Sequence, residues 1–160
     1  MISDKVDFTP PYTKWDSRFM QLARDVSTWS KDPRRQIGAV AVHPEDKRVL
    51  STGYNGFPKW IRDDPQRMQD SVTKSKYMIH AELNCIFNAV YTGTSLRDTT
   101  LYVYGLPPCS ECAKGILQVG IRKVVCEYET TAEDEKWEES FAHSQAMFNE
   151  GGIYLFRINA

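Results

Sequence analysis

The 160-residue sequence contains no apolar run near the ~20 residues that a membrane-crossing helix requires. Its N-terminal stretch, MISDKVDFTPPYTKW, lacks the apolar centre of a secretion signal. Charge of one sign is also missing. Twenty basic and 21 acidic residues leave a net charge of -1, so no global field attracts nucleic acid or an anionic membrane. There is no internal repeat and no low-complexity tract. Histidine and cysteine are few, three and four residues. Without a secretion signal, four cysteines point to a reducing, cytoplasmic setting, where clustered thiols serve metal binding or chemistry rather than disulfides. The composition, 41% hydrophobic and 12% aromatic, is that of a globular chain able to build a core. We expect one domain over residues 1–160, with residues 1–13 as an extended lead-in.

Periodicity predicts the elements. Trp15, Phe19, Leu22, Val26 and Trp29 mark one face of a helix over Lys14–Ser30. The β-rich runs 36–44 and 48–54 flank a polar turn and predict a hairpin. Residues 55–77 read as a long polar loop, a length that in a compact domain points to function. A helix over 80–91 follows, with Ile79, Leu83, Ile86, Phe87 and Val90 at helical spacing. Strand 100–104, helix 109–118, strand 121–127, helix 134–149 and strand 153–158 complete the chain. Gly93, Gly120 and Gly151–Gly152 fall where helices should stop. The order α-β-β-α-β-α-β-α-β predicts an α/β fold: a five-stranded mixed sheet between helices, with parallel strand–helix–strand units.

Two helix starts carry polar residues that a core helix does not need. Cys109 and Cys112 have the C-x-x-C spacing, which puts both sulfurs on one helix face, at an end that favours thiolates. His80 starts the preceding helix. One imidazole and two thiolates make three zinc ligands with a fourth position open, the pattern of catalytic rather than structural zinc. A redox dithiol is one alternative. A structural site completed by Cys85, Cys126, His43 or His143 is another. Glu82 lies about 200° round a regular helix from His80. The two side chains converge only if His80 stands outside the regular helix.

His80-Ala81-Glu82 followed by Pro108-Cys109-Ser110-Glu111-Cys112 resembles the H-x-E, P-C-x-x-C signature of zinc nucleobase deaminases. The stretches SKDPRRQIGAVAV (30–42), STGYNGFP (51–58), HAELN (80–84) and PPCSECAKGILQVGIRKVV (107–125) narrow that resemblance to the deoxycytidylate (dCMP) deaminases, over roughly residues 15–158.

The resemblance implies a cytidine-deaminase-like α/β/α three-layer sandwich and hydrolytic deamination of dCMP to dUMP, which supplies dTMP synthesis. It implies one Zn2+ on His80, Cys109 and Cys112, with Glu82 as the proton carrier. It further implies a homohexamer, activated by dCTP with Mg2+ and inhibited by dTTP. Asn55 and Ala81 become substrate contacts, and Gly53, Tyr54, Asn55, Gly56, Phe57 and Pro58 the allosteric nucleotide segment. For Gly53–Gly56 an ordinary turn is the competing reading, because Asn-Gly accepts positive φ. Arg34 and Arg35 are candidates for the 5′-phosphate, against a solvated turn. Lys59, Arg62, Arg67, Lys74 and Lys76 could serve either nucleotide. Tyr104 could stack on base or sugar, or simply fill the core. The segment YVYGLPPC is one residue longer than its usual counterpart, which alters the wall beside the base. Residues 55–77 contain neither Cys nor His, so a second zinc is not expected. A deaminase of tRNA adenosine or of cytosine in nucleic acid is the alternative, though the net charge gives no sign of a strand-tracking groove. A non-catalytic zinc module is another, but it would have no use for Glu82.

Overall fold

A computed structural model describes residues 13–159, so the expected lead-in lies almost wholly outside the described residues. The order is α1 (Lys14–Ser27), β1 (Gly38–Val42), β2 (Val49–Tyr54), α2 (Pro65–Gln69), α3 (Ser71–Tyr77), α4 (Ala81–Thr92), β3 (Thr100–Gly105), α5 (Ser110–Gln118), β4 (Lys123–Tyr128), the 3-10 helix Ala132–Trp137, α6 (Glu138–Gly151) and β5 (Tyr154–Arg157). One five-stranded sheet runs β2-β1-β3-β4-β5. β1 pairs antiparallel with both β2 and β3, whereas β3, β4 and β5 are mutually parallel. The expected mixed α/β architecture is present.

Alternation along the strands divides the core. Ala39, Ala41, Leu101, Val103, Val124 and Cys126 face a cluster that includes Ala81, Cys85, Ile86, Ala113, Ile116 and Phe148 of α4, α5 and α6. Val40, Val42, Tyr102 and Val125 face Phe19, Met20, Ala23 and Val26 of α1. Every residue of β1 is buried, as a strand covered on both faces requires. At about 25 cal/mol per Å2 of apolar surface removed from water, these two layers supply most of the cohesion.

Four departures from the expected elements have physical causes. The helix α1 stops at Ser27, and Trp29 leaves the core face to sit 58% exposed, edge-on to Tyr54. Residues 55–77 contain two short helices, each capped by an aspartate: Asp64 accepts from Gln66 N–H and Arg67 N–H, and Asp70 accepts from Val72 N–H. The helix expected at 134–149 divides, with a 3-10 turn to Trp137 and regular helix from Glu138. The helix α4 turns its small residues inward. Ala81, Cys85 and Ala89 are buried with Glu82 and Ile86, while Phe87 and Val90 are exposed.

That close packing depends on Gly53. A Cβ there would stand 2.3 Å from Cys85 N and 2.5 Å from Ala81 O, so the α4 backbone lies directly on β2. The side chains of Ser51, Asn84 and Asn88 tie the two together. Ser51 Oγ donates to Cys85 O at 2.7 Å, Asn84 Nδ2 to Tyr54 O at 2.8 Å and Asn88 Nδ2 to Thr52 O at 2.8 Å. The helix ends as expected, with Gly93 left-handed at φ 72°.

Candidate metal centre and pocket

The carboxyl end of β3, the start of β1 and the N-termini of α4 and α5 meet at one end of the strands, the usual place for a site in an α/β fold. His80 is the N-cap of α4, with φ -65° and ψ 153°. Extended backbone at that position frees its side chain from the helical rotation, so His80 and Glu82 converge. Cys109 is the N-cap of α5, φ -75° and ψ 172°, and Cys112 lies in the first turn. Neither N-cap side chain caps its own helix.

His80 Nδ1 stands 3.3 Å from Cys109 Sγ and 3.4 Å from Cys112 Sγ. All three ligand atoms lie within 4.8 Å of one another. Tetrahedral zinc with its usual Zn–S and Zn–N lengths requires S···N separations of about 3.6 Å, so the donor set and its spacing fit that ion. The other candidate ligands are elsewhere. His43 Nδ1 accepts from Glu45 N–H and Asp46 N–H in a turn, Cys126 donates to Phe156 O, and His143 is exposed. Burial pushes the Cys85 and Cys126 thiols up to about 12, which keeps both protonated. No fourth protein ligand joins the three among the described residues.

The electrostatics are those of a cation site. Hydrogen bonding from Cys112, with help from His80, pulls the Cys109 thiol down to about 4. The Cys112 thiol is pushed up by that same bond and by burial. The Cys109 thiolate raises the His80 pKa, with Glu82 adding to the effect against burial. Glu82 is 4% exposed and burial raises its pKa, opposed by the His80 charge. Cys112 donates to Glu82 Oε2 at 3.2 Å. A buried carboxyl beside three ligands, with its proton affinity raised, is equipped to hold and release a proton.

These groups open into a cleft of about 280 Å3. Of the residues singled out from sequence, Arg34, Arg35, Asn55, Lys74, His80, Ala81, Glu82 and Cys109 line it. Asn55 is buried and engaged on both ends of its amide: Oδ1 accepts from Ile37 N–H at 2.9 Å, and Nδ2 donates to Arg35 O at 2.8 Å. Arg35 donates to Asp134, whereas the exposed Arg34 guanidinium has no ion pair among the described residues. Tyr104, expected as a substrate contact, lies elsewhere. Strand alternation puts it on the α1 face with Arg24 over its ring, and it does not line the cleft. Gly53 lies beneath α4. Tyr54 meets Trp29, Phe57 packs on Tyr77, and Gly56 forms a bridge with Ile79, next to His80.

Several lining residues escaped the sequence reading. Asp32 organises one wall, accepting from Arg34 N–H at 2.8 Å and Arg35 N–H at 3.1 Å, with Lys74 Nζ at 3.0 Å. Of the five loop cations considered, Lys74 alone reaches the cleft. Leu106 and Pro107 form the apolar side, and Asp134, Lys136, Trp137 and Phe141 close the far side. The aspartate in SKDP was a readable turn signal. The distant 134–141 segment carried none.

The family model describing the cytidine and deoxycytidylate deaminase zinc-binding region matches residues 13–128. An uncharacterized deaminase in the luxG 3′ region of Aliivibrio fischeri is 36% identical over 143 residues, 88% of this chain and 91% of that protein. Human deoxycytidylate deaminase is 40% identical over 119 residues, 71% of this chain, a match that spans 65% of the human protein. The deoxycytidylate deaminase of enterobacteria phage T4 is 34% identical over 151 residues, 69% of this chain and 77% of that enzyme. In structure, the cyanophage S-TIM5 dCMP deaminase in complex with dCMP and dUMP superposes with a TM-score of 0.70 over 92% of this chain and 99% of that one, at 20% identity, a likeness of fold. The chain belongs to the zinc-binding cytidine and deoxycytidylate deaminase family.

Proposed function

We propose that the chain, acting as one domain, catalyses the hydrolytic deamination of dCMP to dUMP and ammonia. The observation that carries this reading is the placement of Glu82: a buried carboxyl 3.2 Å from a ligand sulfur, at the floor of a cleft sized for a nucleotide. The relatives named deoxycytidylate deaminases support the substrate. His80, Cys109 and Cys112 would hold a zinc ion, which would supply an acidified water at neutral pH.

Glu82 takes a proton from the attacking water as the new C–O bond forms at the ring carbon bearing the amino group. It gives that proton to the adjacent ring nitrogen. A second proton, from the hydroxyl now on that carbon, passes through Glu82 to the amino group, and the C–N bond breaks with ammonia leaving and the ring carbonyl forming. General acid–base assistance of this kind is worth ~10²–10⁴-fold in rate. The Ala81 backbone and Asn55 line the route of the ring and sugar. Arg34 offers the cation for the 5′-phosphate.

The finer reading concerns regulation. The segment Gly53–Pro58 is the candidate site for dCTP with Mg2+ as activator and dTTP as inhibitor, and its Gly56–Ile79 bridge adjoins His80. Assembly as a homohexamer is consistent with the exposed apolar residues Phe87, Val90 and Tyr91 along α4, beside the edge strand β2. The product dUMP would feed dTMP synthesis in the cytoplasm. No helix among the described residues is long and apolar enough to cross a membrane.

The reading is tested by ammonia release from dCMP, deoxycytidine and single-stranded DNA, each with and without dCTP. Turnover of dCMP well above the other two is the expected result. Preference for single-stranded DNA would replace dCMP with a nucleic-acid substrate, and a rate indifferent to dCTP would remove the regulation.

A further inference from the structure

The far wall of the cleft comes from a segment that the proton chemistry does not use. Asp134 and Trp137 of the 3-10 helix face the cleft with Phe141 of α6. Trp137 stands edge-on to His80, with ring centroids 6.0 Å apart and planes at 78°. A 3-10 helix has poor internal hydrogen bonds, and only Asp134 of this one is buried. Its position therefore depends on tethers. One is local: Thr131 N–H and hydroxyl donate to Asp134 Oδ2 at 2.7 and 3.1 Å. The other is long-range: Arg35, which lines the same cleft, donates from Nη2 to that same oxygen from 99 positions away in the chain. The backbone of Arg35 is itself fixed, its N–H by Asp32 and its carbonyl by Asn55.

We infer that the Arg35–Asp134 pair is a latch at the cleft, and that it positions Trp137 as the wall on which the pyrimidine ring stacks. Arg35 is then a positioning residue and not a phosphate ligand. Its guanidinium is committed to a buried carboxylate, while that of the neighbouring Arg34 is free to meet a phosphate. The inference rests on the deaminase reading, and it adds a base-contacting wall and its support. The two roles for Arg35 separate cleanly. A phosphate ligand matters only to a phosphorylated substrate, whereas a latch matters equally to nucleotide and nucleoside.

The experiment uses zinc-loaded protein and the variants Arg35→Met, Arg35→Lys, Trp137→Ala and Trp137→Phe. Steady-state constants are measured on dCMP and deoxycytidine, zinc per chain is determined, and tryptophan emission is followed while dUMP is added. Stacking on an aromatic ring sets the scale, so Trp137→Ala and Arg35→Met should raise KM about tenfold for both substrates with zinc unchanged. Arg35→Lys and Trp137→Phe should recover most of that loss. The dUMP-dependent change in emission should be strong in the wild type and nearly absent in Trp137→Phe. A KM defect in Arg35→Met confined to dCMP overturns the latch, and so does a wild-type KM in Trp137→Ala. Either result beside an active wild type leaves the deaminase reading intact. A wild type that turns over neither substrate overturns both.

Discussion

Replacing Gly53 with alanine should damage the metal centre from a position that touches none of its ligands. The added Cβ would stand 2.3 Å from Cys85 N, 2.5 Å from Ala81 O and 2.8 Å from Asn84 C. All three are backbone atoms of α4, so no side-chain rotation relieves the clash. Ordinary carbon contacts begin near ~3.5 Å, which requires β2 and α4 to separate by about 1 Å. The hydrogen bonds from Ser51, Asn84 and Asn88 resist that movement. Overpacking of this kind costs about 1–3 kcal/mol, against a gain of roughly 0.4–1 kcal/mol from the stiffer unfolded chain. At about 2–4 °C per kcal/mol, the melting temperature should fall by several degrees. Ala81 stands between His80 and Glu82, so a displacement near 1 Å reaches both, with a loss in kcat/KM on the order of 100-fold. Gly56→Ala, assayed without dCTP or dTTP, is the steric control, since its Cβ would meet only the Tyr54 ring, at 3.6 Å. Melting curves, zinc per chain and turnover of the two variants decide the matter. If Gly53→Ala melts and turns over like Gly56→Ala, the close packing of β2 and α4 does not hold the site.

The other expectations are more local. Cys109→Ser and Cys112→Ser should each drop zinc well below one ion per chain, measured by metal analysis after dialysis; full occupancy in either would exclude that sulfur. Arg34→Ala should raise KM for dCMP strongly while scarcely changing the weak activity on deoxycytidine, and equal losses on both would point to general damage instead. Asp134 gives a pH signature. Burial pushes its carboxyl up, but Thr131 and Arg35 outweigh burial and hold it below the usual carboxylate range. A carboxyl with a depressed folded pKa contributes stability that is present above its unfolded pKa and lost as pH falls through the folded one. Thermal stability measured from neutral pH into the acid should therefore drop less steeply in Asp134→Asn than in the wild type; identical slopes would show that the pair does not stabilise the fold.

The legible parts of this site were those in which chemistry contradicts packing. Two cysteines and a histidine at helix starts do not build a core, and the topology needed to bring them together follows from strand–helix alternation. The convergence of His80 and Glu82 was not legible, because it depends on the backbone of His80 leaving the helix at ψ 153°. The inner face of α4 was misread for a related reason. Large apolar residues suggested Phe87 and Val90, yet the helix backbone lies so close to Gly53 at Ala81 and Cys85 that small residues take much of the buried face, beside Ile86. In residues 55–77 the polar composition hid two helices that aspartate caps and Pro65 support. Trp137 carried no sequence signal, since an aromatic residue in a charged stretch is ordinary until Arg35 is seen to bind Asp134.

Ammonia release from dCMP by the zinc-loaded wild type and by Glu82→Gln, with zinc per chain measured in both, tests the account most directly. The substitution keeps the shape of the side chain and removes its ability to carry a proton. The account predicts dCMP-dependent ammonia from the wild type, and full zinc with a rate lower by at least ~10²-fold in the variant. A zinc-loaded Glu82→Gln that turns over dCMP at the wild-type rate would contradict it, as would a zinc-loaded wild type that releases no ammonia from dCMP.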